Sequence, residues 1–172
     1  MKDLAPILKF LKISRARFIS TANEIPDSKW RQSPATDVWS AAEIAAHLAM
    51  IEESIVTRCR KASQAAPRTV PLLKQIHPPL VLATWRGRKA RSPLSLAADQ
   101  VHDRQQAYAV IEMTREASVA FLESCNDRDL SAHRFAHPIF GSLNVYEWYR
   151  FIGYHELRHR KQLRELVEIF HR

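Results

Sequence analysis

Apolar residues recur every three or four positions along four long stretches of this chain, with charged and polar residues between them. That spacing gives a helix one face for a core and one for water. Over residues 3–23 the stripe is Leu4, Ile7, Leu8, Leu11 and Phe18, and Pro26 lies beyond its end. Residues 28–39, which include Pro34, read as loop. The second helix has the clearest start. Ser40-Ala41-Ala42-Glu43 is a capping box, in which the Ser40 hydroxyl and the Glu43 carboxylate each serve a free amide of the first turn. It is expected to run to residue 65, before Pro67, on a face of Ile44, Leu48, Ile51 and Ile55. The pattern then fails over residues 67–95, where Pro71, Pro78 and Pro79 exclude a continuous helix. Only a short helix over residues 80–85 is expected there. A third helix is predicted over residues 99–124, with Ala107, Val110, Thr114, Ala117 and Phe121 facing inward. Residues 126–143, with Pro138 and Gly141, read as irregular. A second capping signal, Asn144-Val145-Tyr146-Glu147, opens a fourth helix that runs nearly to the last residue. Its stripe is Val145, Trp148, Ile152, His155, His159, Leu163, Leu166 and Phe170.

Four amphipathic helices without a strand predict an all-α fold, a four-helix bundle with a long crossover loop. The 172 residues suit one domain, 1–172, with no linker. Long connections of the 67–95 kind often act as binding loops or lids. Lys9 and Lys12 interrupt the apolar residues near the start, so no signal-peptide core forms. No stretch has the length to span a membrane. Cys59 and Cys125 are isolated, which argues against a disulfide framework or a thiol metal site. These features together predict a cytoplasmic protein. The formal charge of +8 raises nucleic acid as a partner. Its densest run, residues 86–91, sits in a Pro-flanked loop and is expected to be solvated. No helix resembles a reading helix, so nucleic acid is disfavoured.

The chemistry concentrates in the fourth helix. His155 and His159 are one turn apart on one face, so both imidazoles can reach a single ion. A third ligand must come from another helix. His47, beside Leu48 on the apolar side of the second helix and seven residues past Ser40, is the best candidate. Three buried imidazoles without partners would be costly, which favours a divalent metal over three independently satisfied core histidines. Three ligands leave open positions, the pattern of catalytic sites. Neutral imidazoles also leave the ion's positive charge uncompensated, which favours an anionic ligand such as hydroxide or thiolate. The string His155-Glu156-Leu157-Arg158-His159 matches H-E-x-x-H, in which Glu156 would be the general base of a zinc protease. Only 13 residues follow His159, and there is no second domain to make a cleft, so that reading is discounted. Glu156, about 100° round the helix from His155, is expected to be solvated or to support a ligand from behind.

In four ordered pieces the chain resembles the DinB/YfiT-like superfamily of metal-dependent enzymes. These are Trp39 through Leu48, His137-Pro138-Ile139-Phe140-Gly141-Ser142-Leu143, Glu147-Trp148, and His155 through Gln162. The resemblance implies an up-up-down-down bundle with a long crossover. It also implies a metal triad of His47, His155 and His159 holding zinc or nickel. The family includes thiol-dependent S-transferases and isomerases that use small thiols, and its members are often homodimers. Trp39, Ile51, Trp148 and Ile152 could wall the site, although core packing explains them as well. His137 is a candidate to support a ligand or shuttle a proton. His77, His102, His133 and His171 read as surface. The expected function is therefore a metal-dependent hydrolase or thiol S-transferase acting on a small molecule. The alternative is a non-catalytic metal-binding stress-response protein.

Overall fold

The computed structural model describes residues 3–67, 70–85 and 103–171. The basic run at 86–91 and the predicted start of the third helix at 99–102 lie outside the described residues.

Helix α1, Ala5–Ala22, starts behind Asp3, whose carboxylate accepts from the Ala5 amide at 3.0 Å. It buries Ile7, Leu11, Phe18 and Ala22. Helix α2, Ala41–Gln64, opens on the predicted capping box. The Glu43 amide donates to Ser40 Oγ at 3.2 Å, and the Ser40 amide donates to Glu43 Oε2 at 2.7 Å. The crossover carries a one-turn helix α3, Leu72–Gln75, and a 3-10 turn at Leu80–Thr84 where the short helix was expected. Helix α4, Arg104–Ser124, is capped by Asp103, which accepts from the Gln106 amide at 2.7 Å. Helix α5, Val145–Phe170, has the second capping box, Asn144 with Glu147.

Three expectations need correction. The stretch 126–143 is not wholly irregular. Strands β1, Arg134–His137, and β2, Gly141–Asn144, form an antiparallel hairpin with Phe135 opposite Leu143. Gly141 has φ +72°, a conformation that glycine adopts without the Cβ penalty. Short polar strands such as Arg-Phe-Ala-His carry little alternation, which is why the pattern hid them.

The inner face of α4 is also rotated from the predicted one. Ala107, Ile111, Arg115, Ser118, Phe121 and Leu122 are buried, whereas Ala117 is exposed and Val110 and Thr114 are half-buried. A sequence reading assigns arginine to water, and here Arg115 points inward because two carboxylates meet it.

Helix directions form the third correction. Along α1 and α5 the contacts rise together: Phe10 with Tyr154, Arg15 with Glu156, Glu24 with Arg164. Along α2 and α4, Glu52 meets Arg115 and Arg60 lies over Phe121, again rising. Between α2 and α5 the order reverses, His47 facing His159 and Arg58 facing Trp148. Between α1 and α4 it also reverses, Leu11 bonding Arg115 and Asn23 bonding Tyr108. The bundle is thus up-down-down-up, not up-up-down-down. Parallel α2 and α4 force the chain back along the bundle. For the 24 residues of α2 that is about 36 Å, which accounts for the long crossover.

The core has two apolar halves. One gathers Leu122, Leu143, Trp148, Tyr149 and Ile152, the other Phe18, Ile44, Ile111, Leu163 and Leu166. A polar layer lies between them along every helix, holding Arg15, Glu52, Arg115, Glu156 and the histidines of α2 and α5. Among the described residues no helix is long and apolar enough to cross a membrane.

Candidate metal centre

Antiparallel packing of α2 against α5 brings His47 to the pair His155 and His159. His155 Nε2 lies 3.4 Å from His47 Nε2 and 3.2 Å from His159 Nε2. One ligand atom from each of the three falls within 4.8 Å of the others. Two nitrogens bound to one tetrahedral ion at about 2.0–2.1 Å would lie roughly 3.3 Å apart, so the two measured separations suit a shared ion.

Burial does the rest. It pushes His47 down to about 4. It pushes His155 down to about 3, with smaller contributions from the charges of His47, Arg158 and His137. His159 is held well below the usual histidine range, first by burial and then by His155 and His47. All three rings are therefore neutral at physiological pH and keep a lone pair, as metal ligation requires.

Their orientation is supported unevenly. His159 Nδ1 donates to Gln162 Oε1 at 3.0 Å, which leaves Nε2 as the lone-pair nitrogen. His47 Nδ1 is buried and has no hydrogen-bond partner among the described residues. Trp39 stacks on His159, 6.0 Å between centroids and 12° between planes, and also packs on His47 at 4.9 Å. Phe151 stacks on His155 at 5.6 Å and 23°. The donor set fits a divalent ion: neutral nitrogens, converged, inside an apolar wall.

A family model described as the DinB superfamily matches residues 11–163. The chain belongs to the DinB superfamily. Among the DinB chain's relatives is the uncharacterized protein YuaE of Bacillus subtilis (strain 168), 31% identical over 157 residues. That match covers 87% of this chain and 92% of the relative. The crystal structure of TT2238, a four-helix bundle protein, superposes with a TM-score of 0.60 at 23% identity. It covers 94% of this chain and 98% of that one, and speaks for the fold alone.

Other predicted site residues of this DinB-superfamily chain take different places. Ile51 and Ile152 share a small cavity with His155. Trp148 stands farther off, stacked on Phe135 at 4.4 Å and donating Nε1–H to the Phe135 carbonyl at 3.3 Å. His137, at the end of β1, packs on Phe151 at 4.5 Å, with that ring stacked in turn on His155. Its Nδ1 accepts from the Ile139 and Phe140 amides at 3.0 and 3.2 Å, which puts the proton of the neutral ring on Nε2. Burial, aided by the Arg58 charge, lowers His137 to about 4.

Glu156 is not solvated. It is 1% exposed and turns away from the histidines into a cluster with Arg15, Glu52 and Arg115, one residue from each long helix. Arg15 Nε donates to Glu156 Oε1, and Arg115 Nε donates to Glu52 Oε1 at 2.7 Å. Arg115 Nη1 donates to the Leu11 carbonyl at 2.7 Å, and Ser14 Oγ donates to Glu156 Oε2. Burial opposes the Arg115 charge, but Glu156 and Glu52 outweigh it and raise its pKa. The four charges cancel.

Two of the supposed surface histidines are half-buried. His77 meets Glu147 at 3.4 Å, and His133 Nδ1 donates to the Ala62 carbonyl at 2.9 Å. His171 is exposed, and His102 lies outside the described residues. Sequence reasoning missed Phe151 and Gln162, although each carried a signal, four residues before His155 and three after His159. Nothing local marked Arg15, Glu52 or Arg115.

Proposed function

We propose that this chain is a metal-dependent enzyme acting on a small molecule at His47, His155 and His159, either as a hydrolase or by transferring a small thiol. The observation that supports it is the convergence of three neutral imidazole nitrogens, two on buried rings and one on the half-buried His155, where three ligands leave room in the coordination shell. When bound, a zinc or nickel ion supplies Lewis acidity at its open position.

The protein's own residues do the positioning. Gln162 fixes the His159 tautomer. Trp39 stacks on His159 and Phe151 on His155, which gives the site an aromatic wall. Arg158, next to His159, adds positive charge felt by both His155 and His159, which favours an anionic substrate or thiolate. Glu156 has no part as a general base, because its carboxylate is committed to Arg15, Arg115 and Ser14.

Elemental analysis of the purified protein beside the His47→Ala variant tests the site, with close to one ion per chain expected in the first and none in the second. Turnover of electrophilic substrates by the zinc- or nickel-loaded protein, with and without small thiols, tests the reaction. Loaded protein that turns over nothing across a broad panel would leave a metal-binding bundle rather than an enzyme.

A further inference from the structure

A cavity of about 10 Å³ lies between the histidine trio and the buried charge cluster. His155, Glu52, Arg115 and Glu156 line it, with apolar walls that include Ile51 and Ile152. Its size is that of one water molecule, and a buried water needs two to four polar partners.

Hydrogen-bond capacity left over by the protein matches that need. A carboxylate offers about four lone-pair positions. Both positions of Glu52 Oε2 are taken, by Arg15 and Arg115, and both of Glu156 Oε2, by Ser14 and Arg115. Among the described residues Glu52 Oε1 accepts only from Arg115 Nε, and Glu156 Oε1 only from Arg15 Nε, so each keeps one acceptor position. His155 turns Nε2 to the trio, and among the described residues its Nδ1 has no protein partner. If Nε2 ligates an ion, Nδ1 must carry the proton.

We propose that one water molecule occupies this cavity and bridges His155 Nδ1–H to Glu52 and Glu156. It accepts from His155 Nδ1–H and donates to Glu52 Oε1 and Glu156 Oε1, three partners in all. The charge cluster thereby becomes the rear support of a metal ligand. Glu52 and Glu156 are positioning residues that hold the His155 ring and raise the basicity of its Nε2. The water rests on the cavity alone, whereas its effect on a metal rests on the proposed site.

A high-resolution crystal structure of the full chain, with and without zinc, tests the first part. Density within hydrogen-bond distance of His155 Nδ1 and both Oε1 atoms is expected in each. A dry cavity, or a water bonded only to the carboxylates, overturns the proposal. Ile51→Met, whose longer side chain is expected to displace the water while leaving every charged residue of the cluster in the chain, tests the second part by zinc competition titration. An affinity loss of roughly tenfold or more is expected, with the helical circular dichroism unchanged. An affinity equal to that of the starting protein, in a variant whose crystal shows the cavity filled, overturns the coupling. Failure of the starting protein to bind zinc at the trio overturns the metal reading instead and leaves the crystallographic test of the water standing.

Discussion

The Arg15 guanidinium on α1 donates to Glu156 on α5 at 2.5 Å, joining residues 141 positions apart in the chain. His155 and Glu156 are neighbours in sequence and occupy two different polar environments, one a neutral imidazole cluster and the other a neutralised ion cluster. That division separates the structural from the chemical use of the H-E-x-x-H string.

Glu156→Ala is therefore expected to destabilise the fold, by about 3–5 kcal/mol, because it leaves Arg15 and Arg115 buried without one of their carboxylates. Urea denaturation of the metal-free protein measures this. A variant as stable as the starting chain would return Glu156 to the role of a general base.

Loss of a ligand differs from loss of its support. His47→Ala is expected to weaken zinc binding by more than roughly a hundredfold. Gln162→Ala, which removes only the acceptor of His159 Nδ1, is expected to weaken it by about 10–100-fold. Competition titration against a chromophoric chelator ranks the two. Equal losses would show that Gln162 does more than orient the ring.

Gly153 reports on the seam between α1 and α5. A Cβ there would stand 2.5 Å from Phe10 Cε1 and 2.9 Å from Cδ1, so Gly153→Ala must displace the Phe10 ring. A cost of about 1–3 kcal/mol is expected from such overpacking. Phe10→Leu on the same background should recover part of it, and additive losses in thermal melts would disprove the contact.

The stability of the metal-free protein should fall in mild acid. Unfolded histidines titrate near 6.5, whereas His47 folds at about 4 and His155 at about 3 because of burial. Between those values the unfolded chain binds more protons than the folded one, so stability rises with pH there. It is complete above about pH 6.5 and drains as the pH falls toward 4, by up to about 1.4 kcal/mol per unit for each such histidine. Urea midpoints at about pH 7.5 and about pH 5 check this. Identical midpoints would mean that the rings are not held neutral by burial.

Much of this protein could be read along the chain, because helix phase and helix ends are set by near neighbours. Ser40 with Glu43 and Asn144 with Glu147 announced two helices from four residues each, and both boxes formed. His155 and His159 had to share a face whatever the rest of the chain did. The core face of α4 could not be read this way. Arg115 looks like a solvent residue until Glu52 and Glu156 are seen beside it. The hairpin at 134–144 escaped for a similar reason, since four-residue strands carry too few alternations to register.

Local chemistry thus settled the four helices, the starts of α2 and α5 and the spacing of two imidazoles. Tertiary packing decided which helices run parallel, where His47 meets the other two, and that one charge from every long helix closes into a buried neutral cluster. Those outcomes rest on contacts between positions far apart in the chain, where pairing energy depends on burial and geometry and leaves no periodic trace.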